Sequence, residues 1–153
     1  MIHFVGAGPG APDLITRRGA ALLQAADCII YAGSLVNPAL LGLAREGCAV
    51  YNSAEMTLEQ VLAVMRQMEA AGRTTVRLHT GDPCLYGAIR EQMDVLDAEG
   101  IPYDDTPGVS VMYTGYEISP RNFHTAVERL PVTLPPAPMD TITGKTKRMQ
   151  QAS

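Results

Sequence analysis

Short apolar strands alternate with helical stretches along residues 1–110, and loops rich in glycine and proline follow three of those strands. The loops lie at residues 6–12, 80–87 and 106–110. This alternation is typical of an α/β fold, a mainly parallel sheet with helices on both faces. Because the carboxyl ends of parallel strands meet at one edge, we expect the three loops to gather there, where such sheets bind ligands.

The central loop joins a β-rich run at residues 74–79 to a predicted helix at 85–99 with Leu85 and Leu96 on its apolar face. Gly81 permits a tight turn, Asp82 is placed to cap the helix, and Pro83 suits its first turn. Taken alone, these residues also fit a well-formed turn that binds nothing. The recurrence of two further loops of this kind favours a binding site.

Local signals predict the neighbouring helices. Asp13 is placed to cap a helix that extends to about Ala26 with Leu14 facing inward, and residues 39–45 form a short helix. Thr57 and Gln60 match a capping box at the start of the next helix.

The first loop also fits a dinucleotide pattern, since Gly6, Gly8 and Ala11 satisfy G-x-G-x-x-A. That pattern requires an acidic residue at the end of the second strand to hold a ribose. Here Asp27 precedes the strand, and Pro9 removes one amide from the loop. A nicotinamide or flavin site is therefore disfavoured.

Composition disfavours several other classes of protein. The 153 residues are enough for one domain with a sizeable core, and the net charge of -4 argues against a nucleic-acid partner. The three cysteines form no CxxC pair, which disfavours a metal site or disulfide framework and fits a reducing cytoplasm. No uncharged apolar run approaches the length of a membrane span. We expect a cytoplasmic protein with no membrane partner.

Together the loops resemble those of the tetrapyrrole methylase family: VGAGPGAPDLIT at 5–16, GDP at 81–83 and PGVS at 107–110. The stretches IYAGSLVNP at 30–38, LHTGDP at 78–83 and YGAIREQM at 86–93 are similar to the branch that acts at C11 of precorrin-4 or cobalt-precorrin-4. The resemblance covers residues 1–110 almost continuously.

The resemblance implies transfer of a methyl group from S-adenosylmethionine to a tetrapyrrole in cobalamin biosynthesis. Such a reaction demands alignment and exclusion of water more than acid or base groups, so no catalytic residue is assigned. The resemblance implies that Tyr31 and Ser34 face the tetrapyrrole. The cofactor-binding residues that it implies are Pro9, Thr80, Gly81, Asp82, Leu85, Gly108 and Ser110.

Other reactive side chains have simpler explanations. We expect His3 and His79 to pack in or beside strands, and nothing near Cys84 in the sequence would activate its thiol. The carboxylates of a tetrapyrrole invite basic partners. Candidates are Arg17, Arg18 and Arg90, although their positions favour solvation at the surface over substrate binding.

The pattern changes after Ser110. Residues 111–153 are rich in proline and show no sustained period, so we predict a methylase domain at 1–110 and a poorly ordered tail at 111–153. We hypothesise that this tail is foreign or frame-shifted and that it replaces the family's second domain. Two alternatives stay open: methylation at another ring position, and a non-catalytic remnant that is either inert or acts only as a binding module. The family is homodimeric, and the oligomeric state of this chain is left open.

Overall fold

The computed structural model describes residues 1–86 and 89–110 as one parallel sheet with helices on both faces, which confirms the predicted α/β fold. The strand order is β3-β2-β4-β1-β5, and every neighbouring pair is parallel. The strands are β1 Ile2–Gly6, β2 Cys28–Tyr31, β3 Ala49–Asn52, β4 Thr75–His79 and β5 Tyr103–Thr106.

Four α-helices and several 3-10 turns connect the strands. The helices are α1 Arg17–Ala25, α2 Leu58–Ala70, α3 Pro83–Tyr86 and α4 Arg90–Glu99. The capping box predicted at α2 is present: the Gln60 N–H donates to Thr57 Oγ1, and the Thr57 N–H donates to Gln60 Oε1.

Alternation along the strands builds a core layer on each face of the sheet. Phe4 and Ile30 are fully buried in the layer that also holds Leu62 of α2 and Leu96 of α4. The opposite layer contains Val5, Ile29, Leu78 and Leu23 of α1. Burial of each large apolar side chain contributes about 1.5–3 kcal/mol, so the two layers fix the sheet that carries the loops.

The predicted start of α1 is wrong. Thr16, not Asp13, is the N-cap, and its Oγ1 accepts a hydrogen bond from the Gly19 N–H at 3.1 Å. Pro12 begins a separate 3-10 turn, Pro12–Leu14, and the extended backbone of Ile15 separates that turn from α1. Leu14 consequently does not face inward and is 38% exposed.

Two other helix predictions need correction. In the described residues, the helix expected at 85–99 is represented by two helices, α3 and α4; Leu85 on α3 is 52% exposed, while Leu96 on α4 is buried. The short helix expected at 39–45 is a 3-10 helix, Pro38–Leu43, whose N-terminus is capped by Asn37 through the Ala39 N–H. The spacing of apolar residues predicts neither the start of α4 at Arg90 nor the 3-10 geometry of Pro38–Leu43.

Among the residues that the structure describes, no helix is both long and apolar enough to cross a membrane. The predicted tail at 111–153 lies outside the described residues.

Candidate functional site

The three glycine-rich loops meet at the carboxyl ends of β1, β4 and β5, as expected. The Gly81 N–H donates to Gly8 O at 2.8 Å, and the Ala7 N–H donates to His79 O at 2.6 Å. We call this meeting place, formed by residues 6–10, 79–82 and 106–110, the loop junction. Because these bonds join backbone to backbone across loops distant in sequence, each loop helps to fix the others.

Glycine is required in the loop junction because backbones touch there. A Cβ atom at Gly108 would lie 2.1 Å from Gly81 O and 2.8 Å from Gly6 Cα. A Cβ at Gly6 would lie 2.5 Å from Gly81 O and from Gly108 Cα. Gly81 also has a φ of +59°, a backbone conformation that residues other than glycine rarely adopt. The glycines therefore serve close packing between loops, in addition to any approach of a ligand.

Asp82 ties the second loop to the third. One carboxylate oxygen accepts from the Cys84 N–H at 2.8 Å and so caps α3, as predicted. The other accepts from the Gly108 N–H at 3.2 Å. In return, Ser110 Oγ accepts from the Asp82 N–H at 2.8 Å. Both oxygens of Asp82 thus have partners within the protein, a role in loop closure that its position before Pro83 does not reveal.

The structure places the predicted cofactor-binding residues unevenly. Gly81, Asp82, Gly108 and Ser110 are linked by direct contacts. Thr80 adjoins them, with a buried hydroxyl that has no hydrogen-bond partner among the described residues. Of the other two, Pro9 is buried in the part of the loop junction that the first loop forms, whereas Leu85 is exposed on α3.

The predicted substrate-facing residues lie at the end of β2, next to β4. Tyr31 is half-buried, and its carbonyl accepts a hydrogen bond from Ser53 Oγ at 3.0 Å. Ser34 is exposed in the following 3-10 turn, Gly33–Leu35. Asn37, which caps the 3-10 helix Pro38–Leu43, also donates through Nδ2 to Gly10 O at 2.8 Å. That bond connects this segment to the loop junction.

Asp27 confirms that the dinucleotide pattern is incomplete. It lies at the amino end of β2, where its carboxylate accepts from the Thr74 N–H at 2.8 Å and pairs with Arg45. The Thr74 bond is the main cause that holds the pKa of Asp27 below its usual value, and the Arg45 guanidinium adds to it. The carboxylate is therefore remote from the edge where a ribose would lie.

Cys84 has no activated thiol. Its Sγ lies 3.6 Å from Asp105 Oδ2, and partial desolvation followed by the nearby Asp105 and Asp82 carboxylates raises the pKa of the thiol. The thiolate needed for nucleophilic attack is thus disfavoured. Arg17, Arg18 and Arg90 are all exposed, and Arg90 pairs with Asp94 at 2.8 Å.

His79 and Arg77 lie on the same face of β4, and both are buried. His79 is 7% exposed and Arg77 is 6% exposed. Burial lowers the pKa of Arg77 to about 10, so the guanidinium stays charged at neutral pH. Burial and, second, this positive charge lower the pKa of His79 to about 3. The imidazole is therefore neutral, and its burial confirms the expected packing.

We expect His79 to make the stability of the fold depend on pH between about 6.5, its ordinary pKa, and about 3, its pKa in the folded chain. In this window the unfolded chain protonates His79 near its ordinary pKa, whereas the folded chain does not. Unfolded molecules then bind more protons, so stability falls as pH falls, by up to about 1.4 kcal/mol per pH unit from this group. Urea unfolding of the wild type and His79→Phe at pH 7, 6 and 5 measures it. Equal slopes in the two proteins would contradict this prediction.

An open parallel sheet whose glycine-rich loops meet at its carboxyl edge is typical of α/β proteins that bind ligands at that edge. The model of the family Tetrapyrrole (Corrin/Porphyrin) Methylases matches residues 1–139. The chain belongs to this family.

Curated relatives share this similarity at high identity. The cobalt-precorrin-4 C(11)-methyltransferase of Methanocaldococcus jannaschii is 46% identical over 134 residues, which are 88% of this chain and 48% of the relative. The precorrin-4 C(11)-methyltransferase of Pseudomonas aeruginosa is 49% identical over 109 residues, 71% of this chain and 43% of the relative. The chain thus spans about half the length of the curated relatives it matches.

Solved structures agree on the fold. A cobalt precorrin-4 methyltransferase superposes with a TM-score of 0.69 at 46% identity, over 71% of this chain and 46% of that chain. The uroporphyrin-III C-methyltransferase of Thermus thermophilus, solved with S-adenosylhomocysteine, gives a TM-score of 0.60 at 33% identity, over 71% and 45%.

Proposed function

We propose that this chain binds S-adenosylmethionine at the loop junction and contributes to methylation of C11 of precorrin-4 or cobalt-precorrin-4, within the cytoplasm. The observation that carries the proposal is the junction itself. Three loops that match the family's motifs meet at the carboxyl edge, and a buried hydroxyl there, that of Thr80, finds no partner in the part of the chain that the structure describes. Relatives of this chain bear the C11-methyltransferase name at 46–49% identity.

The junction suits the proposed cofactor. When bound, S-adenosylmethionine supplies a methyl group on a positively charged sulfur, which needs no further activation. The Thr80 hydroxyl would bind a polar group of the cofactor, and the Gly108–Ser110 segment would line its path. Asp82 would act through its two backbone partners by keeping these loops together. The protein's work is then to orient the methyl group and exclude water.

The tetrapyrrole would approach from the side of β2. Tyr31 and Ser34 lie at the end of this strand, which neighbours β4 in the sheet. Exposed Arg17 and Arg18 begin α1, which follows the first loop, and their charges suit the carboxylates of such a substrate. Binding of substrate by these residues is part of the proposal.

Calorimetric titration of the full 153-residue chain with S-adenosylhomocysteine tests cofactor binding. Thr80→Val removes the partnerless hydroxyl at the carboxyl end of β4, and we expect affinity to fall about five- to tenfold, the value of one hydrogen bond of about 1 kcal/mol. Thr75→Val is the matched control because it removes a buried hydroxyl at the opposite end of the same strand. Wild-type chain that binds no S-adenosylhomocysteine at millimolar concentration, while folded by circular dichroism, would contradict the proposal.

Methyl transfer is tested separately with precorrin-4 or cobalt-precorrin-4 and S-adenosylmethionine labelled with ¹³C in the methyl group. The expected product carries one labelled methyl at C11, located by NMR. A labelled methyl at another ring carbon would support the alternative position. Binding of S-adenosylhomocysteine without any transfer would support the non-catalytic alternative.

A further inference from the structure

His79 has a polar atom that the fold leaves unused. It is the last residue of β4 and lies in register with Gly6 of β1. Its imidazole stacks on the Phe4 ring, with centroids 6.5 Å apart and planes at 27°. Its Nε2 is buried and makes no hydrogen bond within the parts of the chain that the structure describes. A phenylalanine would keep the stacking and leave no polar atom unsatisfied.

The surroundings of this imidazole are positive. The Arg77 guanidinium lies on the same face and donates to two neutral acceptors, Gln92 Oε1 at 3.0 Å and Ile30 O at 3.1 Å. No carboxylate pairs with Arg77 among residues 1–86 and 89–110. The carboxylate nearest to His79 along the chain is that of Asp82, and it already accepts hydrogen bonds from two backbone N–H groups. A buried cation without an ionic partner favours the arrival of a negative group nearby.

His79 is joined by a second polar group without a partner. The hydroxyl of Thr80, the next residue, is also buried and unsatisfied. Leaving buried polar atoms unpaired is unfavourable, and native proteins do so rarely. Thr75 Oγ1 at the amino end of β4 is a third such atom, but it lies far from the loops. Two such atoms on consecutive residues, at the carboxyl end of the strand beside the loop junction, point to a ligand that supplies the missing partners.

We propose that His79 Nε2, as the N–H of a neutral imidazole, donates a hydrogen bond to a carboxylate of the ligand bound at the loop junction. The inference rests on the proposed function and deepens it. Two sources offer this chemistry: the amino-acid carboxylate of the S-adenosyl cofactor and the acidic side chains of the tetrapyrrole. In either case His79 binds the ligand, and Arg77 strengthens the contact through its charge. Because Nε2 is buried in the structure, the loop residues shift locally to admit the carboxylate.

The test compares His79→Phe with the wild-type full chain against three ligands by calorimetry. The ligands are S-adenosylhomocysteine, 5′-methylthioadenosine, which lacks the amino-acid carboxylate, and uroporphyrin III, a tetrapyrrole with several carboxylates. If the cofactor supplies the carboxylate, His79→Phe weakens S-adenosylhomocysteine at least tenfold and leaves 5′-methylthioadenosine unchanged. If the tetrapyrrole supplies it, only uroporphyrin III is weakened. A purely structural role would not separate the ligands in this way.

Controls keep the result interpretable. His3→Phe makes the same replacement near the amino end of β1, where His3 Nδ1 lies 2.6 Å from Asp104 Oδ1, and should leave all three affinities unchanged. If His79→Phe does not fold, His79→Gln retains an N–H donor and should keep most of the affinity for the carboxylate ligand, whereas His79→Leu should not. Wild-type affinities preserved in the folded His79→Phe protein would overturn this inference and leave the proposed function standing. A folded wild type that binds none of the three ligands would overturn both.

Discussion

Replacing Gly108 with alanine should destabilise the chain by about 3 kcal/mol or more and abolish binding of S-adenosylhomocysteine. Overpacking usually costs about 1–3 kcal/mol, and here the added methyl would lie 2.1 Å from Gly81 O, a backbone atom that no rotamer change can move. Relief requires the third loop to separate from the first two, which would dismantle the loop junction. Urea unfolding and calorimetric titration measure the two effects.

Gly42→Ala is the matched control for this substitution. It makes the same chemical change in the 3-10 helix Pro38–Leu43, where no atom lies within 4 Å of the added Cβ. Alanine there also restricts the unfolded chain, so we expect stability to change by less than about 1 kcal/mol, with affinity unaltered. Equal unfolding midpoints for the Gly108 and Gly42 variants would show that the close backbone approach at Gly108 does not exist in solution.

Removing the Asp82 carboxylate should impair both folding and binding. Asp82→Ala leaves the Cys84 and Gly108 N–H groups without their acceptor, and we expect stability to fall by about 2 kcal/mol, a typical upper value for loss of a helix cap. Affinity for S-adenosylhomocysteine should fall at least tenfold, because Gly108 and Ser110 are no longer held against the second loop. Asp82→Asn keeps one acceptor oxygen but turns an NH₂ group toward one of the two donors, so its effects should be intermediate.

Asp13→Ala provides the comparison for Asp82. The sequence predicts a helix cap at both aspartates, yet Asp13 is exposed within the 3-10 turn Pro12–Leu14 and α1 is capped by Thr16. We expect Asp13→Ala to change neither the unfolding midpoint nor the affinity. An Asp82→Ala protein that is destabilised but binds S-adenosylhomocysteine normally would limit Asp82 to a structural role.

The sequence was sufficient to predict the alternation of strands and helices and the edge where the loops meet. Apolar runs such as Cys28–Tyr31 and the glycines after them are local signals, and the rule that parallel strands share a carboxyl edge supplies the rest. The contacts across the loop junction were not predictable in this way. Asp82 and Gly108 are 26 residues apart, and no local pattern indicates that a capping carboxylate has a second partner at that distance.

The start of α1 shows why two N-cap signals that lie close together in a sequence are hard to distinguish. Asp13 and Thr16 are both good N-cap residues, three positions apart, ahead of the same apolar pattern. Pro12 decides between them, because it starts its own short turn and delays α1 by several residues. The burial of His79 similarly depends on Phe4, which a different strand brings beneath its ring.

The strand order β3-β2-β4-β1-β5 has a consequence for biosynthesis. Of the five strands, β1 is synthesised first, but it cannot pair at once because both of its neighbours, β4 and β5, are synthesised much later. Ile2 of β1 pairs with Thr75 and with Tyr103. The β2–β3 pair can form while β1 is still unpaired. Pairing of β1 requires loop closure over long sequence separations, which is slow. The ligand-binding edge is thus completed only when the chain has been synthesised to about residue 110, and a nascent chain stalled before Tyr103 would expose one side of β1.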